Sequence, residues 1–150
     1  MPRQITRFTM RALDSIAKLL PMRKSEAQHL VTGRQGEEEA YFYLRKQGYV
    51  IVARNYRTPN CRSELDMIGW DHQTLCFIEV KTRTFRDELL PAESAVDFDK
   101  RQDLCRVARE FLRKGRKKDD PTFRFDIVTV YLEPGLNPQI TILKDAFAMV

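Results

Sequence analysis

Alternating apolar and polar residues mark a pair of strands near the middle of the chain. The segments 63–70 and 74–83 are rich in apolar and β-branched residues, and the polar turn Asp71-His72-Gln73 separates them. Besides Arg83 at the end, these apolar segments contain four charged residues: Glu64, Asp66, Glu79 and Lys81. Because charged side chains are almost never fully buried unless they are paired, this pattern indicates a specific arrangement.

The turn decides which of these charges face each other. With a loop of two or four residues, Asp66 lies opposite Glu79. Glu64 then lies opposite Lys81, whereas an odd loop without a bulge would turn Glu79 to the other face. Opposed carboxylates with Cβ atoms ~5 Å apart would repel each other by roughly 3 kcal/mol at an effective dielectric of ~20. A half-buried pair therefore requires a cation.

Two cations are available to such a pair. Lys81 supplies one positive charge, and a divalent metal such as Mg²⁺ or Mn²⁺ would supply more, since carboxylates are ligands that these metals prefer. The alternative interpretation is a strand pair that carries weak surface ion pairs.

A first helix is predicted before these strands. Thr32-x-x-Gln35 has the pattern of a capping box, and Gly48 is a natural stop, so we expect the helix between them. Its inward stripe consists of Glu37, Ala40, Tyr41 and Leu44. Glu37 is an acid in line with core residues, just after two glycines that permit close backbone approach. The alternative is a first-turn carboxylate that interacts favourably with the helix dipole.

A second helix is predicted over residues 96–114, with Gly115 near its end. Lys100 lies on its inward stripe, between Val96 and Leu104. Arginines recur at helical spacing along another face: Arg106, Arg109, Arg113 and Arg116. A solvated face is the default interpretation of such a row, and a set of phosphate contacts is the alternative.

The remaining strands complete an α/β pattern. We expect a first strand over 49–57, a strong strand over 123–131, and a short last strand over 139–143 followed by one helical turn at 144–149. For Asp126 we expect a structural role, paired with Arg124 or with a loop amide. The order helix, three strands, helix, two strands predicts a sandwich with a mixed sheet, built as an antiparallel meander and a crossover helix into a further strand.

The positive charge is concentrated at the N-terminus. The chain has 150 residues and a net charge of +5, and residues 1–24 carry six basic residues against one acid, so the rest is neutral. We therefore divide the chain into a basic amphipathic extension, residues 1–30, and a domain, residues 31–150. The extension would dock on nucleic acid, lie on an anionic membrane or act as a targeting peptide, or else it is a loosely docked tail.

The cysteines and the hydropathy bear on the compartment. Three cysteines with no C-x-x-C spacing argue against a disulfide framework and against zinc. No apolar run is long enough to span a membrane, and the arginine-punctuated N-terminus does not resemble a secretory signal. We expect a cytoplasmic protein that has no membrane partner.

Taken together, several short motifs resemble those of the YraN-like family, a group of small bacterial proteins, over residues 31–149. The motifs, in chain order, are Gly36-Glu37, Arg54-Asn55-Tyr56-Arg57, Glu64-Leu65-Asp66, Phe77-Ile78-Glu79-Val80-Lys81-Thr82-Arg83, Ala95-Val96 with Lys100, and Arg124-Phe125-Asp126. The resemblance implies a restriction-endonuclease-like three-layer sandwich of order α-β-β-β-α-β-β. It also implies similarity to Holliday junction resolvases in the PD-(D/E)XK nuclease superfamily.

The resemblance assigns roles to individual residues. Asp66 matches the aspartate on the second strand of the superfamily, and Glu79 and Lys81 match its acidic-x-lysine on the third. Glu37 matches the helix glutamate of resolvase-like members. There are two departures, since Leu65 stands in place of the proline and Ser63 in place of a glycine that is usual in the family; neither removes a ligand.

The implied function is a Mg²⁺- or Mn²⁺-dependent endonuclease acting on branched or structured DNA. Asp66, Glu79 and Glu37 would hold the metal, and Lys81 would orient or deprotonate water or contact the phosphate. Flanking phosphates would contact Lys100, Arg106, Arg109 and Arg113. Resolvases act as symmetric dimers, so a homodimer is also implied. The alternatives are a non-catalytic nucleic-acid-binding or protein-interaction module that keeps the fold, and a membrane or targeting protein that depends on the extension.

Overall fold

A five-stranded mixed sheet forms the centre of the protein. The computed structural model describes residues 28–84, 96–115 and 121–150. The strands are β1 (Val50–Arg57), β2 (Glu64–Asp71), β3 (Thr74–Arg83), β4 (Phe123–Tyr131) and β5 (Gln139–Phe147). They lie in the order β1-β2-β3-β4-β5, with β3 and β4 parallel and the other neighbours antiparallel. The helices are α1, residues 28–46, and α2, Phe98–Lys114.

The two faces of the sheet carry separate apolar cores. On one face, Phe77 of β3 and Ile127 of β4 cluster with Leu104 and Val107 of α2. On the other face, Ile78 of β3 clusters with buried residues of α1, Ala40 and Leu44. The predicted fold class and element order are confirmed, and the arrangement is compatible with a restriction-endonuclease-like sandwich.

The chain divides into two units, Met1–Arg34 and Gln35–Val150, and the sheet belongs to the second. Residues 1–27 lie outside the described part, and with them the predicted amphipathic stripe of the extension. Among the described residues, no helix is long and apolar enough to cross a membrane.

The helix α1 begins earlier than the sequence predicted. Residues 28–31 are already helical, and the Thr32 hydroxyl donates to the carbonyl of Gln28 over 2.8 Å. A threonine inside a helix satisfies its hydroxyl on the carbonyl one turn earlier, so Thr32 does not cap this helix. The predicted capping box is therefore wrong, because its local pattern occurs inside a longer helix.

The second helix closely follows its prediction. The Asp97 side chain caps α2 by accepting from the backbone N–H of Lys100 over 2.8 Å, and Gly115 follows the last turn. The buried residues of this helix are Leu104, Cys105, Val107 and Ala108. The cap fixes where α2 begins and therefore fixes the position of Lys100 in its first turn.

The register of β2 against β3 is the predicted one. Asp71 pairs with Thr74 across a two-residue loop in which His72 has φ 53, and Met67 pairs with Ile78. Extending this register by one step places Asp66 opposite Glu79. The predicted even loop is confirmed.

The end of the chain differs from the prediction. Residues 144–147 continue β5 instead of forming a helical turn. The register between β4 and β5 shifts near Phe125, and Asp145 there has φ 54. Its backbone N–H donates to Asp126 Oδ1 over 3.0 Å, and Phe147 stacks on Phe125 with ring centroids 4.7 Å apart. These tertiary contacts keep the segment in the sheet, as a bulged strand.

A charged cluster lies near the β2–β3 turn, and we call it the Arg124 cluster. Its members are Tyr49, Asp71, Arg124, Asp126 and Lys144. The Arg124 guanidinium donates to Asp126 over 2.8 Å, to Asp71 over 2.6 Å and to the Tyr49 hydroxyl over 3.0 Å. Lys144 contacts Asp71 over 2.8 Å. The structural role predicted for Asp126 is thereby confirmed.

Candidate functional site

Asp66 lies where the backbone pairing of β2 and β3 ends. Met67 and Ile78 are the last paired residues in that direction. Beyond them, the Asp66 carboxylate accepts a hydrogen bond from the backbone N–H of Val80 over 2.7 Å. The side chain thus takes the place that a strand carbonyl would occupy, which ties the acid to β3 next to Glu79.

Glu79 carries a buried and unevenly paired carboxylate, with only 5 % of its side chain exposed. Its Oε1 lies 3.0 Å from Lys81 Nζ and 3.4 Å from Lys100 Nζ. Its Oε2 is buried and accepts no hydrogen bond from any described residue. A buried charged oxygen without a partner is costly, so this atom is a candidate contact for a further cation.

The environment raises the pKa of Asp66 from 3.8 to about 7. Burial is the first cause, because it disfavours the charged form, and the negative charge of Glu79 is the second. The Val80 N–H and the charge of Lys100 act in the opposite direction, while Glu37 adds to the rise. Three acids therefore act on one another here, as expected of carboxylates that share a partly desolvated site.

Glu37 approaches from α1, whose early turns lie against the end of β3. A Cβ atom on Gly36 would stand 1.9 Å from Thr82 Oγ1, so only glycine permits this approach. Glu37 is half-buried and accepts from the side-chain amide of Asn55 over 3.2 Å. We call Glu37, Asp66, Glu79, Lys81 and Lys100 the acidic site.

The oxygen donors of the acidic site fit a hard divalent cation. Asp66 and Glu79 are neighbours, and one buried oxygen of Glu79 has no partner among the described residues. No group of three or more His, Cys, Asp or Glu side chains within residues 28–84, 96–115 and 121–150 is arranged to hold a metal. Mg²⁺ is commonly held by one or two carboxylates together with water and substrate phosphate, so two adjacent acids are compatible with it.

The predicted phosphate-binding residues fall into two groups. Lys100 belongs to the acidic site itself, since it contacts Glu79. On the outer part of α2, Arg106 pairs with Asp103 over 3.2 Å and Arg109 donates to the backbone carbonyl of Val150. Arg113 is exposed, and residue 116 lies outside the described part. The row is therefore partly engaged in contacts within the protein.

Two residues of this region were not assigned roles from the sequence. Asn55 has φ 48 in the middle of β1 and contacts Glu37, although only its place in the Arg54–Arg57 motif had drawn attention to it. Ser63 donates to Asp103 of α2 over 2.8 Å, which ties the entrance of β2 to this helix. The signal for Asn55 was an asparagine inside an otherwise strand-like run, since asparagine tolerates positive φ.

Comparison with known proteins places this chain among close relatives. The profile described as "Uncharacterised protein family UPF0102" matches residues 36–130. A UPF0102 protein of Koribacter versatilis is 58% identical over 147 residues, which is 98% of this chain and 97% of that protein. UPF0102 proteins of Solibacter usitatus and Nocardia farcinica are each 47% identical, over 77% of this chain and 84% and 87% of their own lengths. All residues of the acidic site lie inside the matched range.

Proposed function

Since this chain belongs to the UPF0102 family, the YraN-like family whose motifs it carries, we propose that it is a metal-dependent endonuclease that hydrolyses phosphodiester bonds in branched or structured DNA. One observation carries the proposal. Asp66 and Glu79 lie together in a partly buried site, beside two lysines, with a buried Glu79 oxygen that has no partner among the described residues. That arrangement supports a site for a divalent cation and a phosphate.

Asp66 and Glu79 would hold Mg²⁺ or Mn²⁺, with Glu37 as the third acid at its margin. When bound, such an ion polarises the phosphate and lowers the pKa of coordinated water. The raised pKa of Asp66, about 7, means that this carboxyl is about half protonated at neutral pH when no metal is present. Cation binding would then release that proton, because carboxylates bind metals in the ionised form.

Lys81 would act on the reacting phosphate. Its side chain is 30 % exposed and its ammonium stands 3.0 Å from Glu79 Oε1, so it combines a fixed position with access from solvent. An ammonium at this point would orient the attacking water or compensate the charge that develops on the phosphate oxygens. Lys100 is similarly exposed, at 29 %, and would contact a phosphate on the other side of Glu79.

The choice of DNA, and of branched or structured DNA, rests on the resemblance to Holliday junction resolvases. A homodimer is part of the same proposal, because a symmetric junction presents two equivalent strands. The exposed Arg113 would contribute to backbone contacts outside the acidic site.

A cleavage panel tests the proposal. Purified full-length protein is incubated with four-way junction, flap, single-stranded and duplex DNA in Mg²⁺, Mn²⁺ or EDTA, with Asp66→Asn and Lys81→Ala alongside. We expect metal-dependent nicking by the wild type, strongest on a branched substrate, and loss of nicking in both variants. The absence of nicking on every substrate in both metals would contradict the proposal.

The second candidate is a nucleic-acid-binding or protein-interaction module without catalysis. It is favoured by the contact of both lysines with Glu79 and by the lack of a three-ligand cluster in the described part of the chain. Binding to DNA in EDTA that is unchanged by Mg²⁺ and never followed by nicking would select this candidate.

A further inference from the structure

Asn55 lies in the same row of the sheet as the two central acids. The register of β1 against β2 pairs Arg54 with Met67 and Tyr56 with Leu65, which places Asn55 opposite Asp66. The register of β2 against β3 places Asp66 opposite Glu79. The backbones of Asn55 and Asp66 are not paired, and neither are those of Asp66 and Glu79. Pairing of β1 with β2 resumes one residue further, at Tyr56 and Leu65. The pairing of β2 with β3 therefore ends at this row and that of β1 with β2 is interrupted there, while Glu79 stays paired with β4.

The backbone of Asn55 explains how its amide reaches the site. Ala53 and Tyr56 both pack on the α2 face of the sheet, although strict alternation would place residues three apart on opposite faces. The alternation of side chains between the two faces is broken at Asn55. Its φ of 48 is in the left-handed region, which asparagine adopts more readily than most residues. A left-handed residue within a strand is uncommon and persists only where the surrounding contacts impose it.

The side chain of Asn55 has a specific partner. Its Nδ2 donates to Glu37 Oε2 over 3.2 Å, and the Glu37 carboxylate is near enough to Asp66 for their charges to interact. The neighbouring residues Arg54 and Glu38 form a second contact between β1 and α1. Their side chains are 2.7 Å apart, on the exposed side of α1. The Arg54–Glu38 pair can anchor the helix to the strand by itself, so anchoring alone does not explain the Asn55 amide.

We propose that Asn55 is a positioning residue of the acidic site, whose amide holds the Glu37 carboxylate beside Asp66 for binding of a divalent cation. The proposal rests on the proposed function. In this proposal Glu37 lies at the margin of the cation site, and Asn55 contacts Glu37 rather than the cation. Partners behind the direct ligands typically change metal affinity by about 10–100-fold when they are removed.

Mn²⁺ binding to the full-length protein without DNA, measured by calorimetric titration, tests the proposal through a double-mutant cycle. The variants are Asn55→Gly, which keeps positive φ accessible and removes the amide, Glu37→Gln, and the double variant. We expect Asn55→Gly and Glu37→Gln each to weaken Mn²⁺ binding by about tenfold, and the double variant to be no weaker than the weaker single variant.

Glu38→Gln is the matched control, because it removes the ion pair from the adjacent strand–helix contact and leaves the acidic site untouched; its Mn²⁺ affinity should equal that of the wild type. Unchanged affinity in Asn55→Gly, or effects of Asn55→Gly and Glu37→Gln that multiply in the double variant, would overturn the role of Asn55 while the endonuclease proposal stands. If Glu38→Gln lowered the Mn²⁺ affinity as much as Asn55→Gly, the Asn55 amide would only anchor the helix, and its proposed positioning role would also be overturned. No Mn²⁺ uptake by the wild type would instead reject the metal site and the endonuclease proposal with it.

Discussion

Two charged clusters lie near opposite ends of β3, and they use similar residues to opposite effect. The Arg124 cluster sets Asp71 and Asp126 against Arg124 and Lys144, whereas the acidic site sets Asp66 and Glu79 against Lys81 and Lys100, with Glu37 at its margin. Surroundings lower the pKa of Asp71 to about 2, through hydrogen bonds from Lys144 and Arg124. They raise the pKa of Asp66 to about 7, through burial and the charge of Glu79.

The distribution of donors accounts for the difference. In the Arg124 cluster, both oxygens of Asp126 accept from Arg124, and Oδ1 also accepts from the Asp145 N–H. In the acidic site both lysines contact the same oxygen, Glu79 Oε1. Apart from Glu37 at the margin, each cluster sets two acids against two bases, yet one forms a closed structural network and the other keeps spare acceptor capacity. The comparison indicates that donor geometry, rather than net charge, separates a structural ion cluster from a binding site.

Replacing Arg124 with Met should produce the largest change in stability. The Asp126 side chain is fully buried and would lose its charged partner, while Asp71 would keep its contact with Lys144. We expect the free energy of unfolding to fall by about 3–5 kcal/mol, measured by urea denaturation at pH 7. Arg113→Met, at an exposed position on α2, is the control and should stay within about 0.5 kcal/mol of the wild type. A loss below about 1 kcal/mol would mean that the Arg124 cluster does not stabilise the sheet.

Asp66→Asn should have the opposite sign in protein without metal. Folded wild type holds the Asp66 proton up to about pH 7, whereas the unfolded chain releases it near 3.8. The cost of the acid therefore accumulates between about pH 4 and 7 and is constant above that range. We expect the variant to be more stable than the wild type by roughly 2–4 kcal/mol at pH 8 in EDTA, and equal to it near pH 4. Equal stability at both pH values would show that Asp66 is not strained in the folded protein.

Asp71→Asn provides the matching test in the other cluster. The folded protein lowers the pKa of this carboxyl to about 2, so its ionised form stabilises the fold above about pH 4, and that stabilisation disappears as the pH falls towards 2. We expect the variant to lose up to about 2 kcal/mol at pH 7 and progressively less below pH 4. Denaturation curves for both aspartate variants, collected over the same pH series, should therefore diverge from the wild type in opposite directions. Shifts of the same sign would remove the distinction between the clusters.

The sequence predicted the parts of this comparison that depend on strand periodicity. The facing of Asp66 and Glu79 followed from an even loop, and the element order followed from the alternation of strand and helix patterns. Periodicity did not predict the joint contact of Lys81 and Lys100 with one oxygen, since that depends on where α2 starts relative to β3. Nor did it give the left-handed backbone of Asn55. The bulged end of β5 was missed because its stability comes from Asp126 and Phe125, which are distant in sequence.

The mildest test compares one substitution in the two clusters, Lys100→Gln and Lys144→Gln. Lys100 lies 3.4 Å from Glu79 Oε1 and Lys144 lies 2.8 Å from Asp71 Oδ2, and both lysines are at least partly exposed. Neither change should cost more than about 1 kcal/mol of stability, because both lysines are partly exposed and each carboxylate keeps a second cation, Lys81 or Arg124. Their effects on Mn²⁺ binding should differ. Removing Lys100 takes a positive charge away from the acids that would hold the cation, so calorimetric affinity should rise by at least about threefold at low salt, and less at high salt. Lys144→Gln should leave the affinity unchanged because its charge acts on Asp71. An unchanged or weaker Mn²⁺ affinity in Lys100→Gln would show that this lysine does not compete with the cation. The difference between the structural cluster and the binding site would then need another explanation.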